Sequence, residues 1–205
     1  MIARFWPVAG VVGENGAFWM WNDRTARKLR TRFVQSDAER ADGRSRLEAV
    51  ELEVLREVPG AAIASDQPYR LADLAIDFCE DVAPLPRPAI ERIVQIFERH
   101  GATAKISSVH VNGWFGTYDK LTTAKAMMAE LFGTDLDDPA EREAWVFSGD
   151  SPNDAPMFGF FPNGVGVANV RDFEGLMPHL PRWITAARSG AGFVELAHAL
   201  IEARR

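Results

Sequence analysis

An apolar run that ends in a cluster of acids is the feature that most constrains the fold. Residues 144–147 read AWVF, and the loop after them contains Asp150, Asn153 and Asp154. The run predicts a buried strand. In open parallel sheets, ligands bind beyond the carboxyl ends of the strands. The sequence therefore predicts a parallel α/β sheet with its functional groups in this loop.

The remainder of the C-terminal part is predicted to alternate between helices and strands, as such a sheet requires. Hydrophobic periodicity and turn signals predict helices over 119–132, 156–160 and 192–203, and strands over 144–147 and 164–169. Asp119 can cap the first of these helices, and Gly133 can end it. Helix and strand alternate here, which is typical of a parallel α/β domain.

The N-terminal part predicts a hairpin followed by a small α+β module with an open sheet. Asn15-Gly16 favours a tight turn because both residues accept positive φ. Residues 23–42 are polar and Arg-rich, and we interpret them as a helix plus a loop. The remaining predictions are strands over 8–12, 17–21, 69–77 and 104–111, helices over 47–58 and 86–100, and a turn at Asn112-Gly113.

Composition excludes several classes of protein. The net charge is -6 and the pI is about 5.3, with no basic run, so a nucleic-acid surface is not expected. No apolar run approaches the ~20 residues of a membrane span, and residues 1–7 lack the apolar region of a signal peptide. The single cysteine, Cys79, excludes an internal disulfide, favours a cytoplasmic location and is predicted to be a buried thiol.

The acidic loop resembles a known motif. Residues 149–154 (GDSPND), followed by Met157-Phe158, resemble the fourth motif, GDxxND, of the haloacid dehalogenase superfamily in its type IIB phosphatases. Three further elements agree in order: residues 14–17 (ENGA) at the turn from core to cap, Asp119-Lys120 at the start of a helix as in the third motif, and residues 166–169 (GVAN) in the strand after the fourth motif.

The resemblance implies a fold and an activity. The fold would be α/β: a Rossmann-like core with a parallel sheet (residues 1–20 and 114–205) and an inserted α+β cap of type C2 (residues 21–113). The activity would be Mg²⁺-dependent hydrolysis of a small phosphorylated metabolite, such as a phosphosugar. A homodimer is possible, and neither nucleic acid nor membrane is expected as a partner.

The resemblance also implies roles for individual residues. Asp150 would bind Mg²⁺, with Asn153 and Asp154 supporting the metal shell and orienting the site. Lys120 would neutralise phosphoryl charge, so Lys120 and Asp154 are the catalytic candidates. The substrate-binding candidates are Lys120, Asn153, Arg70 and His110. Alternatives remain open. Asp154 can be a helix cap and Lys120 a solvated lysine, and Arg70 and His110 can be ordinary polar residues at the protein surface.

One part of the family pattern is missing. The nucleophilic aspartate of the family lies in a DxD motif, with a Ser/Thr motif after it, and both precede the ENGA turn. Residues 1–14 contain no aspartate, and we interpret residues 135–138 (DLDD) as a solvated loop and helix cap rather than a relocated nucleophile. An incomplete phosphatase fits this pattern, and loss of its central strand would expose a sheet edge. The alternatives are a catalytically inactive module that keeps a metal or ligand pocket, and a receiver-like or other α/β binding domain.

Overall fold

The computed structural model describes residues 1–173, 175 and 177–205. The chain divides into two compact units, residues 1–127 and residues 128–205. The helices in the described part are α1 (Ile2–Phe5), α2 (Asp37–Glu57), α3 (Arg87–Arg99), α4 (Lys120–Phe132), α5 (Pro139–Arg142), α6 (Ala155–Phe160) and α7 (Ser189–Glu202). The strands are β1 (Val11–Gly13), β2 (Phe18–Asp23), β3 (Lys28–Phe33), β4 (Ala62–Ile63), β5 (Leu74–Asp77), β6 (Thr103–Ile106), β7 (His110–Trp114), β8 (Phe147–Gly149), β9 (Gly164–Gly166) and β10 (Trp183–Ile184). The predicted α/β class is confirmed.

The first unit opens with the antiparallel sheet β1-β2-β3. Gly13 faces Phe18 across the turn at Asn15-Gly16, so the predicted hairpin is confirmed. The prediction of a helix plus a loop over 23–42 is wrong, because β3 occupies its centre and α2 begins at Asp37. Most of β3 is exposed, and Leu29 and Phe33 are its only apolar residues, so the apolar alternation by which strands are recognised is weak.

A four-stranded antiparallel sheet, in the order β4-β5-β7-β6, packs with α2 and α3 in the first unit. This is the predicted α+β module. The helix predicted over 47–58 begins ten residues earlier, at a capping box in which Ser36 and Glu39 bond reciprocally. Fully buried apolar side chains from both helices and from the central strands form its core: Val50, Val54, Ile76, Ile93, Ile96, Phe97 and Val111.

Four local predictions in this module are wrong. The strand predicted over 104–111 is two strands, β6 and β7, which pair antiparallel. Asn112-Gly113 lies inside β7 rather than in a turn, because the Phe97 ring packs where a side chain at Gly113 would stand. The strand predicted over 69–77 is confined to β5, and Tyr69 lies in a 3₁₀ turn with 84% of its surface exposed. Cys79 follows the end of β5 and is half-buried rather than buried.

The second unit contains the parallel sheet β10-β9-β8. The predicted parallel sheet is therefore confirmed, although its first strand begins at Phe147 and not at residue 144. The Phe147 ring contacts the rings of Phe158 and Phe161, with centroids 5.2 and 5.8 Å apart, which anchors the start of the strand. Val146 is 40% exposed. In the described part of this unit, β8 pairs with β9 alone and is an edge strand.

The loop over 135–138 has the predicted structure. The Asp138 side chain accepts a hydrogen bond from the Ala140 backbone N–H at 2.9 Å and caps α5. Throughout the described residues, the helices are too short or too polar to cross a lipid bilayer.

Replacing Gly113 tests the packing of α3 on β7. A Cβ at this position would lie 2.1 Å from the Phe97 ring, so Gly113→Ala should lower the free energy of unfolding by about 1–3 kcal/mol. Urea denaturation measures this. Gly43→Ala is the matched control, because Gly43 lies in α2 with its nearest contact at an ordinary 3.7 Å. The control should be stabilised by about 0.5–1 kcal/mol, and an equal loss in both variants would contradict the packing argument.

Candidate functional site

The acidic loop leaves the carboxyl end of β8 and is organised around the buried carboxylate of Asp154. Asp154 Oδ2 accepts hydrogen bonds from the backbone N–H groups of Asp150 (3.0 Å) and Ser151 (3.3 Å). Ser151 Oγ donates to Asn153 Oδ1 at 2.7 Å. The loop is therefore closed by its own side chains, and Asp154 is only 6% exposed.

This geometry bears on the alternative of Asp154 as a helix cap. Asp154 occupies the position before α6, with Pro156 in the first turn, but its side chain accepts no N–H group of that helix. The side chain turns back toward the start of the loop instead. Gly149 permits this turn, because a Cβ there would lie 2.7 Å from Asp154 Oδ2. The glycine and the second acid of the GDxxND pattern thus form one structural unit.

Asp150 differs from Asp154 in its surroundings. It is half-buried at the end of β8, and no described residue forms a hydrogen bond or an ion pair with its carboxylate. Carboxylate oxygens are hard donors of the kind that Mg²⁺ prefers, usually with several waters kept in a six-oxygen shell. The loop fits Mg²⁺ in donor type but supplies only part of a shell, and the described residues include no cluster of three metal-binding side chains.

Lys120 lies at the first position of α4, in the first unit. The preceding Asp119 caps the helix as predicted: its Oδ1 accepts the Thr122 backbone N–H at 2.7 Å. Lys120 is half-buried. Its backbone position is therefore fixed by a well-formed helix start.

Arg70 is held by acids of its own segment. The guanidinium donates to Asp66 at 2.8 and 2.9 Å, to Asp73 at 3.0 Å and to Asn112 Oδ1 at 3.3 Å. Burial raises the pKa of the Asp73 carboxyl and outweighs the opposing effect of Arg70. The cation that was predicted to bind substrate is thus a counter-ion for two acids of the same chain.

His110 is buried in β7, beside Asp77 on β5. Its Nε2 lies 2.8 Å from Glu80 Oε2, without the alignment of a hydrogen bond. Asp77 accepts the backbone N–H groups of Cys79, Glu80 and Asp81, which closes the turn after β5. The described contacts of His110 are therefore contacts within the module.

Sequence reasoning gave no role to Glu14, Asp73 or Tyr118. The Glu14 carboxylate accepts three backbone N–H groups, from Leu71, Ala72 and Asp73, and burial raises its pKa although these bonds oppose the shift. The Tyr118 hydroxyl is buried without a hydrogen-bond partner among the described residues. Burial, with the charges of Asp73 and Glu14, raises the pKa of Tyr118. The ENGA string contains Glu14, but nothing in its pattern indicates the partners.

The larger cavities of the second unit lie elsewhere. A cavity of about 890 Å³ is lined mainly by α7 and the segment before β8, and one of about 480 Å³ mainly by α7 and by residues of β9 and β10. Val146 and Leu200 contribute to both. Neither cavity includes Asp150 or Asp154, so the acidic loop and the apolar cavities are separate features of this unit.

Comparisons by sequence find no relative: no protein-family model matches the chain, and no curated protein does. Comparisons by structure find several. The match to a protein from Thermoplasma acidophilum covers 97% of this chain and 75% of that protein, with a TM-score of 0.64 and 15% identity. The match to the sucrose-phosphatase of Synechocystis sp. PCC6803 covers 95% of this chain and 74% of that protein, with a TM-score of 0.59 and 13% identity. The match to a haloacid dehalogenase-like hydrolase from Bacteroides thetaiotaomicron covers 91% of this chain and 74% of that protein, with a TM-score of 0.53 and 14% identity.

These matches identify the fold. The chain is an α/β protein with a parallel sheet that bears an acidic loop and a separate antiparallel α+β module. Its fold is that of the haloacid dehalogenase-like hydrolases, as the motifs predicted. At 15% identity or less the likeness is one of fold, and the boundaries of the cap at residues 21 and 113 stay a prediction.

The pKa shift of Asp73 predicts a pH dependence of stability. Its native pKa is raised above the ordinary 3.8, so the folded protein binds this proton more readily than the unfolded chain. Its contribution to stability is therefore present at low pH and is lost as the pH rises through the native pKa. Relative to Asp73→Asn, the wild type should lose unfolding free energy between about pH 4 and pH 7. Urea denaturation across this range measures the difference, and a difference that stays constant or grows with pH would count against a raised pKa.

Proposed function

We propose that this chain carries the metal- and phosphate-binding part of a Mg²⁺-dependent phosphatase for small phosphomonoesters. The observation that supports this most is the loop of residues 149–154, in which Asp154 holds the backbone while the Asp150 carboxylate has no partner among the described residues. This arrangement stands at the carboxyl end of a parallel strand, where ligands of open α/β sheets bind. The likeness in fold to a sucrose-phosphatase and a haloacid dehalogenase-like hydrolase agrees with it.

The proposed roles divide the loop between structure and binding. Asp150 would hold Mg²⁺ directly, because a partner-free carboxylate can accept a cation without breaking an existing bond. Asp154 would keep the Asp150 and Ser151 backbone in place, and Asn153, fixed by Ser151, would support the shell. When bound, Mg²⁺ would neutralise negative charge on the phosphoryl oxygens. Lys120 would add a fixed positive charge for a phosphoryl group.

The proposed substrate is a small phosphorylated metabolite such as a phosphosugar. The Synechocystis sucrose-phosphatase was solved with sucrose and phosphate bound, and it shares the fold. Arg70 and His110 remain proposed contacts for the part of the substrate that does not react. For Arg70 this requires a substrate that joins, or replaces, the bonds to Asp66 and Asn112. The homodimer and the cytoplasmic location also stay proposals.

The proposed chemistry needs an aspartate nucleophile, which residues 1–205 do not recognisably supply. Residues 1–14 contain no aspartate, and Asp138 of the DLDD string caps α5 in a loop. For the 205 residues alone, this observation favours the second candidate, a catalytically inactive module that keeps a metal or ligand pocket. The two candidates differ in the upstream sequence: an in-frame apolar strand that ends in DxD indicates the enzyme, and an early stop codon indicates the inactive module.

The test is hydrolysis of p-nitrophenyl phosphate by a protein extended upstream in frame. We expect Mg²⁺-dependent turnover that EDTA abolishes, and Asp150→Ala should reduce it by about 100-fold or more, the loss typical of a group that stabilises transition-state charge. Asp135→Ala is the matched control, because it removes an exposed acid of the same unit that lies outside the motif. It should leave turnover unchanged, which would also exclude a relocated nucleophile in the DLDD string.

Two results would contradict the assignment. Full turnover in Asp150→Ala would remove the proposed role of that carboxylate. Turnover that needs no divalent cation would remove the proposed chemistry. Mg²⁺ binding by the 205-residue chain, measured by calorimetry and lost in Asp150→Ala, would instead favour the inactive module if the extended protein showed no turnover.

A further inference from the structure

The turn of residues 14–16 has an unusual backbone. Glu14, Asn15 and Gly16 have φ angles of 45°, 56° and 109°, so three successive residues lie in the left-handed region. Only glycine occupies that region freely, and for Glu14 and Asn15 the conformation persists because surrounding contacts hold it. The contacts on the two sides of this turn lead to two different parts of the first unit.

On one side, the turn holds the segment before β5. Glu14 Oε1 accepts the Leu71 backbone N–H at 2.7 Å, and Oε2 accepts those of Ala72 at 2.5 Å and Asp73 at 3.1 Å. Asn15 Nδ2 donates to Asp73 Oδ2 at 3.0 Å. Residues 71–73, which belong to the predicted cap, are thus tied to the turn by four hydrogen bonds.

On the other side, the turn holds the start of α4. The Gly16 carbonyl accepts a hydrogen bond at 2.7 Å from Thr123 Oγ1, which is 2% exposed. A Cβ at Gly16 would lie 2.2 Å from the Asp119 carbonyl oxygen, so the backbones of the turn and of the helix start are in direct contact. Lys120 follows Asp119 directly and is the first residue of α4.

We propose that Glu14 and Thr123 are positioning residues that couple residues 71–73 to the start of α4, and thereby to Lys120. The two contacts arise from residues only two positions apart, through a backbone that is restricted at each step. A displacement of residues 71–73 therefore moves the Gly16 carbonyl, and a displacement of the helix start moves Glu14. The value of this coupling for catalysis rests on the proposed function, whereas the coupling itself belongs to the 205-residue chain.

Amide hydrogen exchange on the 205-residue chain, resolved by NMR, tests the coupling. In Glu14→Gln one of the two side-chain oxygens becomes an NH₂ group that cannot accept, so exchange at residues 71–73 should accelerate directly. The informative amides are those of Thr122 and Thr123, which Glu14 does not contact. They should exchange about 3- to 10-fold faster, the range expected for the loss of one hydrogen bond.

The reciprocal variant is Thr123→Val, which removes the hydroxyl and keeps the shape. Coupling free energies act in both directions, so exchange at residues 71–73 should accelerate by a similar factor. Thr123→Ser restores the hydroxyl and should restore slow exchange. The control amides are those of Arg142 and Glu143, which are hydrogen-bonded in the short exposed helix α5. They exchange through local opening of that helix and should not change.

Two outcomes would overturn the proposal. If each variant accelerated exchange at its own contacts alone, the turn would transmit nothing. If every amide, including those of α5, accelerated equally, the effect would not be specific to the turn. Neither measurement requires phosphatase activity, so failure of the coupling and failure of the proposed function are distinguishable.

Discussion

The Glu14 carboxylate accepts three backbone N–H groups from residues 71–73 while burial raises its pKa. Much of the first unit depends on this interaction, because it connects the turn of the β1-β2 hairpin to the segment that enters the four-stranded sheet. Asp73 lies beside it, buried, and accepts hydrogen bonds from Asn15 and Arg70. Two carboxylates are thus kept out of water together, and the donors around them offset the cost of burial.

The fold was predictable wherever the apolar pattern was strong. The helix predicted over 86–100 is α3 (Arg87–Arg99), because its apolar side chains recur on a single buried face. β3 was missed because only Leu29 and Phe33 mark its apolar face, among four polar residues. Asn112-Gly113 was misread because the sequence records turn propensity and does not record that the Phe97 ring needs the space at Gly113. Tertiary contacts decide such positions.

The candidate site was predictable as a motif but not as an arrangement. The GDxxND pattern placed Asp150 and Asp154 in one loop, and the structure distinguishes them: Asp154 is buried and holds backbone N–H groups, whereas Asp150 has no described side-chain partner. That difference depends on how the loop folds back over Gly149. The contact between Glu14 and Asp73 could not be predicted for another reason. The two residues are 59 positions apart in the chain, and no periodicity connects them.

The way in which the charge of Arg70 is neutralised affects how its role could change during evolution. Its guanidinium is neutralised within the chain by Asp66, an exposed acid, and by the buried Asp73. Loss of the exposed acid alone would keep the pair with Asp73 and free the Nε and Nη2 donors of the guanidinium. Evolution therefore has a one-step route to a new anion preference at this position, independent of the loop that carries Asp150.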